Sequence, residues 1–424
     1  MTTRVDALQR WLNVLAIAIT VLAFLGRGGA PPQDLQVTLN RLGAGETFDF
    51  VSWTLEALAR KTAYSLLAPQ RFLTDEQQSR LVLEYLDDIR EANRLSGEID
   101  RIYTDPNIVD PDAVSQAPQE AYAVLRQRMA RRSPIAEAIL ESQIEYVLSQ
   151  AELGWLAAVL PPVRGAFTPL PHILIVSPRK TIESVYQRQL VAGLTAAEQA
   201  EIEARITEVL PDYSAYVTRI GGLASYPAML LESSSIAWVA DVLAHEWTHH
   251  YLSFYPLGWY YMRSGETRTI NETTATLMGE WAGQEVLLRF YEPLVTEAKA
   301  LPSPLAVEPH KAEADAERFD FRAEMRDTRV VVDRLLAENR IVEAEWYMEA
   351  RRRYFVANGY RLRRLNQAYF AFHGAYASGP GAAGADPIGP LVQRAWALSE
   401  TPGAFLRRMA PITSLQELRL LVDS

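Results

Sequence analysis

The stretch Leu243-Ala244-His245-Glu246-Trp247-Thr248-His249-His250 carries the pattern H-E-x-x-H inside an apolar run from Ile236 to Tyr255. An apolar run of that length reads as a buried helix. On a helix, residues four apart stand one above the other, so His245 and His249 share a face. Two neutral imidazoles so placed can hold one Zn²⁺ at about 2.0–2.1 Å. Glu246 stands about 100° further round the helix. There it can act as general base towards a water without becoming a ligand. Three of the six histidines of the chain fall within His245–His250. The plainer alternative is a pair of core histidines satisfied by hydrogen bonds. That alternative must bury two imidazoles flanking a glutamate on an apolar helix, which is costly unless every group is paired. His250 is rotated off the shared face and reads as a packing or supporting residue. Trp247 is a bulky residue inside the motif and could narrow a cleft.

A catalytic zinc takes three protein ligands and keeps one position open. No histidine occurs from Tyr251 to Trp259, so an H-E-x-x-H-x-x-G-x-x-H pattern is absent. The third ligand is sought in Asn271-Glu272-Thr273-Thr274-Ala275, with 22 residues between His249 and Glu272. Glu272 opens a second apolar helical run, Ala275 to Tyr291, that can pack on the first. The linker from Pro256 to Ile270 is long enough to turn the chain. As an alternative, Glu272 is an acidic residue favoured near a helix N-terminus by the dipole. Glu266, in what reads as loop, and Glu280, further along the helix, are its rivals as ligand. Asp241, one turn before His245, either orients a ligand histidine or faces solvent.

H-E-x-x-H followed by N-E-x-x-A resembles the gluzincin zinc peptidases, above all their aminopeptidase-like branches. The resemblance implies one Zn²⁺ per chain held by His245, His249 and Glu272, with Glu246 as the catalytic base. It also implies a zincin-like region in which a small sheet precedes the metal helix, and a peptide or protein substrate. A second likeness lies near the C-terminus. Leu365-Asn366-Gln367-Ala368, an apolar helix and then Pro402-Gly403-Ala404-Phe405 are similar to bacterial proteins described as candidate aminopeptidases. The chain departs from the family at Thr276, where several gluzincins place an aspartate behind the glutamate. It also has no G-x-M-E-N-type stretch to hold a free amine. The likeness therefore speaks for zinc peptidase more directly than for aminopeptidase, and endopeptidase action stands beside it. From another class, the rival is a membrane-tethered zinc protein that binds or scaffolds without turnover.

The rest of the chain frames that site. With 424 residues and 49% hydrophobic content, a sizeable core is available to one large domain or two smaller ones. A net charge of −10 argues against nucleic acid as partner. The absence of cysteine excludes disulfides and thiolate metal sites. Trp11 to Gly26 is uncharged, with Arg4 and Arg10 before it and Arg27 after it. This reads as a signal anchor or transmembrane segment within residues 1–30, with a cleaved signal peptide or a buried helix as alternatives. The catalytic region is then expected on the extracytoplasmic side.

Residues 31–160 read as a helical, membrane-proximal region and 161–424 as the catalytic region, giving a mainly helical α+β fold. Thr74-Asp75-Glu76-Gln77 is a capping-box start, followed by Val82, Leu86, Ile89, Ala92 and Leu95 at helical spacing. Tyr103 to Gln119 reads as loop, and Ser133-Pro134 as a fresh helix start. Arg126, Arg128, Arg131 and Arg132 form a basic cluster, read as a solvated face rather than a lipid contact. His172 to Val176 reads as a strand, Thr195 to Glu198 as a second capping box, and Tyr216 to Leu231 as one or two strands. An edge strand in that last stretch could pair with a substrate backbone. Pro302–Pro309 and Gly379–Gly389 read as loops. Tyr369 and His373 are candidates for a second proton donor, with aromatic core as the plainer reading.

Overall fold

The computed structural model describes residues 33–42, 47–104, 110–155, 158–291, 319–360, 362–375 and 387–423, and among these four α-helices come first. They are α1 (Gln33–Leu42), α2 (Phe50–Leu67), α3 (Asp75–Thr104) and α4 (Pro111–Leu148). The capping box opens α3 as expected. Thr74 N donates to Gln77 Oε1 at 2.9 Å and Gln77 N to Thr74 Oγ1 at 3.3 Å. The α3 stripe Val82, Leu86 and Ile89 is buried with Leu125, Met129, Ile139 and Leu140 of α4.

Two expectations change in α4. Residues 111–119 are helix rather than loop, and the helix runs on through Pro134 without a new start. Asp110 caps it by accepting from Ala113 N at 3.0 Å, and Pro111 takes the first turn, where a missing N–H is no loss. Pro118 and Pro134 each forgo one backbone bond, but the α3–α4 seam continues past both. Arg128 and Arg132 each reach Asp88 at 2.7 Å, and Lys61 is buried 2.7 Å from both Glu137 and Glu141. Tertiary packing outweighs the local break. The basic cluster is in large part ion-paired, with Arg126 also 2.6 Å from Glu232.

The strands follow. β1 (Gly154–Trp155) and β2 (Ala158–Val159) pair with each other. Then come β3 (Gly165–Phe167), β4 (His172–Pro178), β5 (Tyr186–Leu190), α5 (Ala196–Val209), β6 (Tyr213–Arg219), β7 (Gly222–Leu223) and β8 (Ala228–Leu230). One antiparallel sheet has the order β5-β4-β6. The other has the order β3-β8-β7, with β3 parallel and β7 antiparallel to β8. The stretch Tyr216–Leu231 is thus shared among three strands. β4 is apolar on both faces because both are covered. Leu174 and Val176 meet Ile202 and Ile206 of α5, while Ile173 and Ile175 join Met325, Val332 and Phe370 from the C-terminal third. The second capping box holds, with Glu198 N donating to Thr195 Oγ1 at 3.3 Å.

The remaining helices are α6 (Ile236–Leu252), α7 (Pro256–Trp259), α8 (Gly265–Phe290), α9 (Phe321–Ala337), α10 (Ile341–Ala357), α11 (Gln367–His373), α12 (Ile388–Ala397), α13 (Pro402–Met409) and α14 (Leu415–Asp423). Val239, Leu243 and Trp247 of α6 share one core with Met278 and Ala282 of α8, Leu86 of α3, Ile139 of α4 and Phe405 of α13. Residues on both sides of position 160 therefore build the same core. The fold is mainly helical α+β, with a small sheet ahead of the H-E-x-x-H helix. Among the described residues, no helix is long and apolar enough to cross a membrane. The apolar segment 11–26, the loop 302–309 and the stretch 379–386 lie outside the described residues.

α6 and α8 approach closely because small residues line their seam. A Cβ at Gly279 would lie 2.5 Å from Asp241 Oδ1, 2.8 Å from the Asp241 carbonyl oxygen and 3.0 Å from His245 Cβ. Glu272, Ala275, Gly279 and Gly283 follow at helical spacing, so they form one stripe facing α6. Gly279→Ala should lower stability by about 1–3 kcal/mol in denaturant unfolding, the usual cost of overpacking. Gly97→Ala, on α3 where a Cβ would meet no atom within 4 Å, should instead add roughly 0.5–1 kcal/mol. Equal effects at the two sites would contradict this account of the seam.

Candidate metal centre

α6 starts at Ser235, whose side chain accepts from Trp238 N at 3.3 Å, and runs unbroken past the motif. His245 and His249 stand a turn apart on it. Their Nε2 atoms face each other at 3.1 Å. Glu272 Oε2 lies 3.5 Å from His245 Nε2 and 3.4 Å from His249 Nε2. Tetrahedral bonds of about 2.0–2.1 Å would hold ligand atoms roughly 3.3–3.4 Å apart, so this triangle fits a zinc ion. Glu272 Oε2 is buried without a hydrogen-bond partner, aimed between the two imidazoles. An orphaned buried acceptor of this kind calls for a partner. Among the described residues, this is the one group of three or more such side chains that could hold a metal ion.

The position of Glu272 differs from the expectation in one respect. α8 begins at Gly265, with Ser264 accepting from Thr267 N at 3.2 Å. Glu272 therefore lies well inside the helix, and the dipole at its N-terminus does not explain it. Glu266 is in the first turn of α8 rather than in loop, and it and Glu280 are both exposed. Neither joins the triad.

Two further residues hold the ligands. His249 Nδ1 lies 2.8 Å from Asn271 Oδ1, and Asn271 Nδ2 donates to the Leu257 carbonyl oxygen at 3.2 Å. With the amide nitrogen committed to Leu257, Asn271 Oδ1 accepts from His249 Nδ1–H. That tautomer leaves the Nε2 lone pair pointing at the triad. The Tyr261 hydroxyl donates to Glu272 Oε1, and its ring meets the His249 ring edge-on at 6.1 Å. Asn271 stands in the motif quoted above, but its role depends on a contact between helices. Tyr261 sits in the linker, where no periodic signal marks it.

Electrostatics in the cluster asks for positive charge. Burial lowers the His245 pKa. Burial also opposes charge on His249, but Glu272 and Glu246 together raise its pKa to about 9. Burial works against the Glu272 carboxylate too, yet the imidazoles, His249 first, hold its pKa well below the usual range. A proton on His249 thus supplies the charge that a divalent cation would otherwise bring. Glu246, also buried, is pushed up to about 8 by desolvation.

Glu246 faces β7. A Cβ at Gly222 would lie 2.3 Å from Glu246 Oε1 and 2.7 Å from Val242 Cγ1, so only glycine lets this strand lie against the glutamate. His250 supports the turn that follows this strand as a packing residue. Burial pushes it down to about 3, and as a neutral ring its Nε2 donates to the Ser225 carbonyl oxygen at 2.7 Å. Trp247 is turned the other way. It is fully buried, with Nε1 donating to the Pro161 carbonyl oxygen at 2.8 Å, so it does not narrow a cleft. Asp241 lies in the α6–α8 seam against Gly279, and burial raises its carboxyl to about 7. Thr276 Oγ1 donates to the Glu272 carbonyl oxygen at 2.8 Å, a bond within the helix rather than one to a ligand.

Tyr369 and His373 take the plainer role. Their rings lie 4.2 Å apart and contact Tyr216 at 5.3 and 5.9 Å, within the core formed by α9 to α11 and the β5-β4-β6 sheet. The tyrosine that reaches the His245, His249 and Glu272 triad is Tyr261.

Comparison of the chain with protein-family models, with curated proteins and with solved structures returns no match. The reading of the site therefore rests on its own geometry. Asn271→Ala should weaken zinc binding by about 10–100-fold while leaving the fold intact, the usual effect of removing a partner behind a ligand histidine. Competition titration with a zinc chelator measures it. An unchanged affinity would mean that Asn271 does not set the His249 tautomer.

Proposed function

We propose that this chain is a zinc-dependent peptidase with a gluzincin-like site. The observation that carries the reading is the triangle of His245 Nε2, His249 Nε2 and Glu272 Oε2, with edges of 3.1, 3.4 and 3.5 Å. Glu246 stands next to a ligand on the same helix, and its side chain lies against β7. Bound there, Zn²⁺ would supply Lewis acidity, polarising a peptide carbonyl and acidifying a water.

The chain's own residues divide the remaining work. Glu246 accepts the proton of the attacking water and passes it to the leaving amine. Asn271 holds His249 in one tautomer through its Oδ1. The Tyr261 hydroxyl, which donates to Glu272 beside the triad, is in this reading the donor that turns towards the carbonyl oxygen as negative charge develops there. β7 is the end strand of its sheet, with no second strand paired to it among the described residues, and that outer edge supports pairing with an extended substrate backbone. Trp247, whose bulk could narrow a cleft and so made a non-catalytic zinc protein plausible, packs into the core instead. In the same reading, the uncharged segment 11–26 anchors the protein to a membrane, with the catalytic region on the extracytoplasmic side.

Glu246→Gln tests the reading. It should reduce hydrolysis of a peptide library by at least about 10²-fold, the scale of a lost general base, while zinc content stays at the wild-type level. Absence of hydrolysis by the zinc-loaded wild type, or equal hydrolysis by the variant, would overturn it.

A further inference from the structure

α8 carries a charged group that the chemistry above does not use. Arg268 lies four residues before Glu272, hence on the same face of the helix, and is only 4% exposed. A guanidinium stays charged at any physiological pH. Burying it without a counter-charge is costly. Yet no carboxylate among the described residues pairs with it. Its contacts are the Ser184 carbonyl oxygen, 3.4 Å from Nη2, and the face of Tyr261, whose centroid is 5.7 Å from Cζ. Arg268 Nε is buried with no acceptor, and Ser184 Oγ is buried with no partner. Two unsatisfied groups therefore lie on touching residues, Arg268 of α8 and Ser184 of the loop joining β4 to β5, which meet through the Ser184 carbonyl oxygen. They lie one aromatic ring away from the cluster, because the hydroxyl of that same Tyr261 rests on Glu272.

We infer that Arg268, with Ser184 beside it, is the subsite for a carboxylate of the substrate. The inference rests on the peptidase reading for its substrate class. A planar guanidinium matches a carboxylate with two parallel hydrogen bonds, and Ser184 Oγ offers a third donor. With the single ring of Tyr261 between Arg268 and Glu272, a carboxylate held there belongs among the few residues that flank the bond that is cut. The carboxylate comes either from the free C-terminus of a short peptide or from an acidic side chain. The sign of the charge also bears on the choice between exopeptidases. A buried cation repels the free amine that an aminopeptidase must hold.

The test uses the full chain and three N-acetylated alanine-based peptides of equal length. One ends in a free carboxylate, one in an amide, and one is an amide with a glutamate next to the C-terminal residue. Cleavage is followed with the zinc-loaded wild type, Arg268→Lys and Arg268→Gln. Binding of the same peptides to Glu246→Gln is followed by calorimetry, alone and combined with each Arg268 variant. The expected result is at least a tenfold preference for one carboxylate-bearing peptide over the plain amide, seen mainly in KM. Arg268→Lys should keep part of that preference and Arg268→Gln should lose it, with zinc content unchanged. Preference for the C-terminal acid identifies a carboxypeptidase-like enzyme, and preference for the glutamate peptide identifies an acidic side chain. Binding that discriminates by carboxylate while neither these peptides nor their unacetylated counterparts are cut would retain the subsite and overturn the peptidase reading. Equal treatment of all three peptides by the wild type, or a preference that survives in both Arg268 variants, would overturn the inference. Should Arg268→Gln fail to fold, the preference of the wild type and its change in Arg268→Lys decide.

Discussion

Three electron-rich atoms converge in the interior of this protein. His245 Nε2, His249 Nε2 and Glu272 Oε2 stand within 3.5 Å of one another, and the carboxylate is buried. Such a cluster is stable only if something positive sits among the three. A proton on His249 answers part of that need, and a divalent cation answers it more completely. The convergence itself depends on how near α6 and α8 can come. Gly279 and Gly283 remove the side chains that would hold the helices apart, and the stripe they belong to carries Glu272 to the histidines.

The surrounding layers transmit order to this point through backbone contacts. Glu137 and Glu141 of α4, which share the buried Lys61 and have Arg60 and Arg164 within 4 Å, accept from Phe167 N at 2.9 Å and Gly165 N at 3.0 Å. These carboxylates satisfy the outer side of β3, which otherwise would be a bare strand edge. β3 pairs with β8, β8 with β7, and β7 lies on Glu246. On the other side, Leu257 accepts from Asn271, while its own N–H donates to the Ala410 carbonyl oxygen at 3.0 Å. α4 and the residue that follows α13 thus fix the two elements that lie against Glu246 and behind His249. This explains why the N-terminal helical region and the motif share one hydrophobic core.

Much of this was legible in the residues, and the limits have physical causes. His245, His249 and Glu246 are marked by helical spacing, which is local. Both capping boxes are local too, and both form. Glu272 stands out because its neighbours form a recognisable run, but the start of α8 is hidden because Ser264 caps the helix before the apolar pattern begins. The start of α4 is hidden because Asp110-Pro111 looks like a loop, although proline after a capping aspartate is equally a helix start. Pro134 suggested a restart because the hydrogen bond it forgoes is local, while the packing that outweighs it is not. Tyr261, Asn271 and Arg268 take their meaning from contacts between elements, and no spacing along the chain encodes those. The direction of Trp247 follows from which side of α6 faces Pro161, which is likewise tertiary. Tyr369 and His373 lie where aromatic residues are dense, and density of that kind marks a core as often as a site.

The central claim is that a metal ion belongs in the triangle. Its most direct measurement is the metal content of the purified full chain by mass spectrometry, wild type beside Glu272→Ala. The account predicts about one zinc per chain in the wild type, in keeping with a single three-ligand site, and a sharply lower value in the variant. Wild-type protein that holds no zinc even after reconstitution, or a variant that holds as much as the wild type, would contradict it.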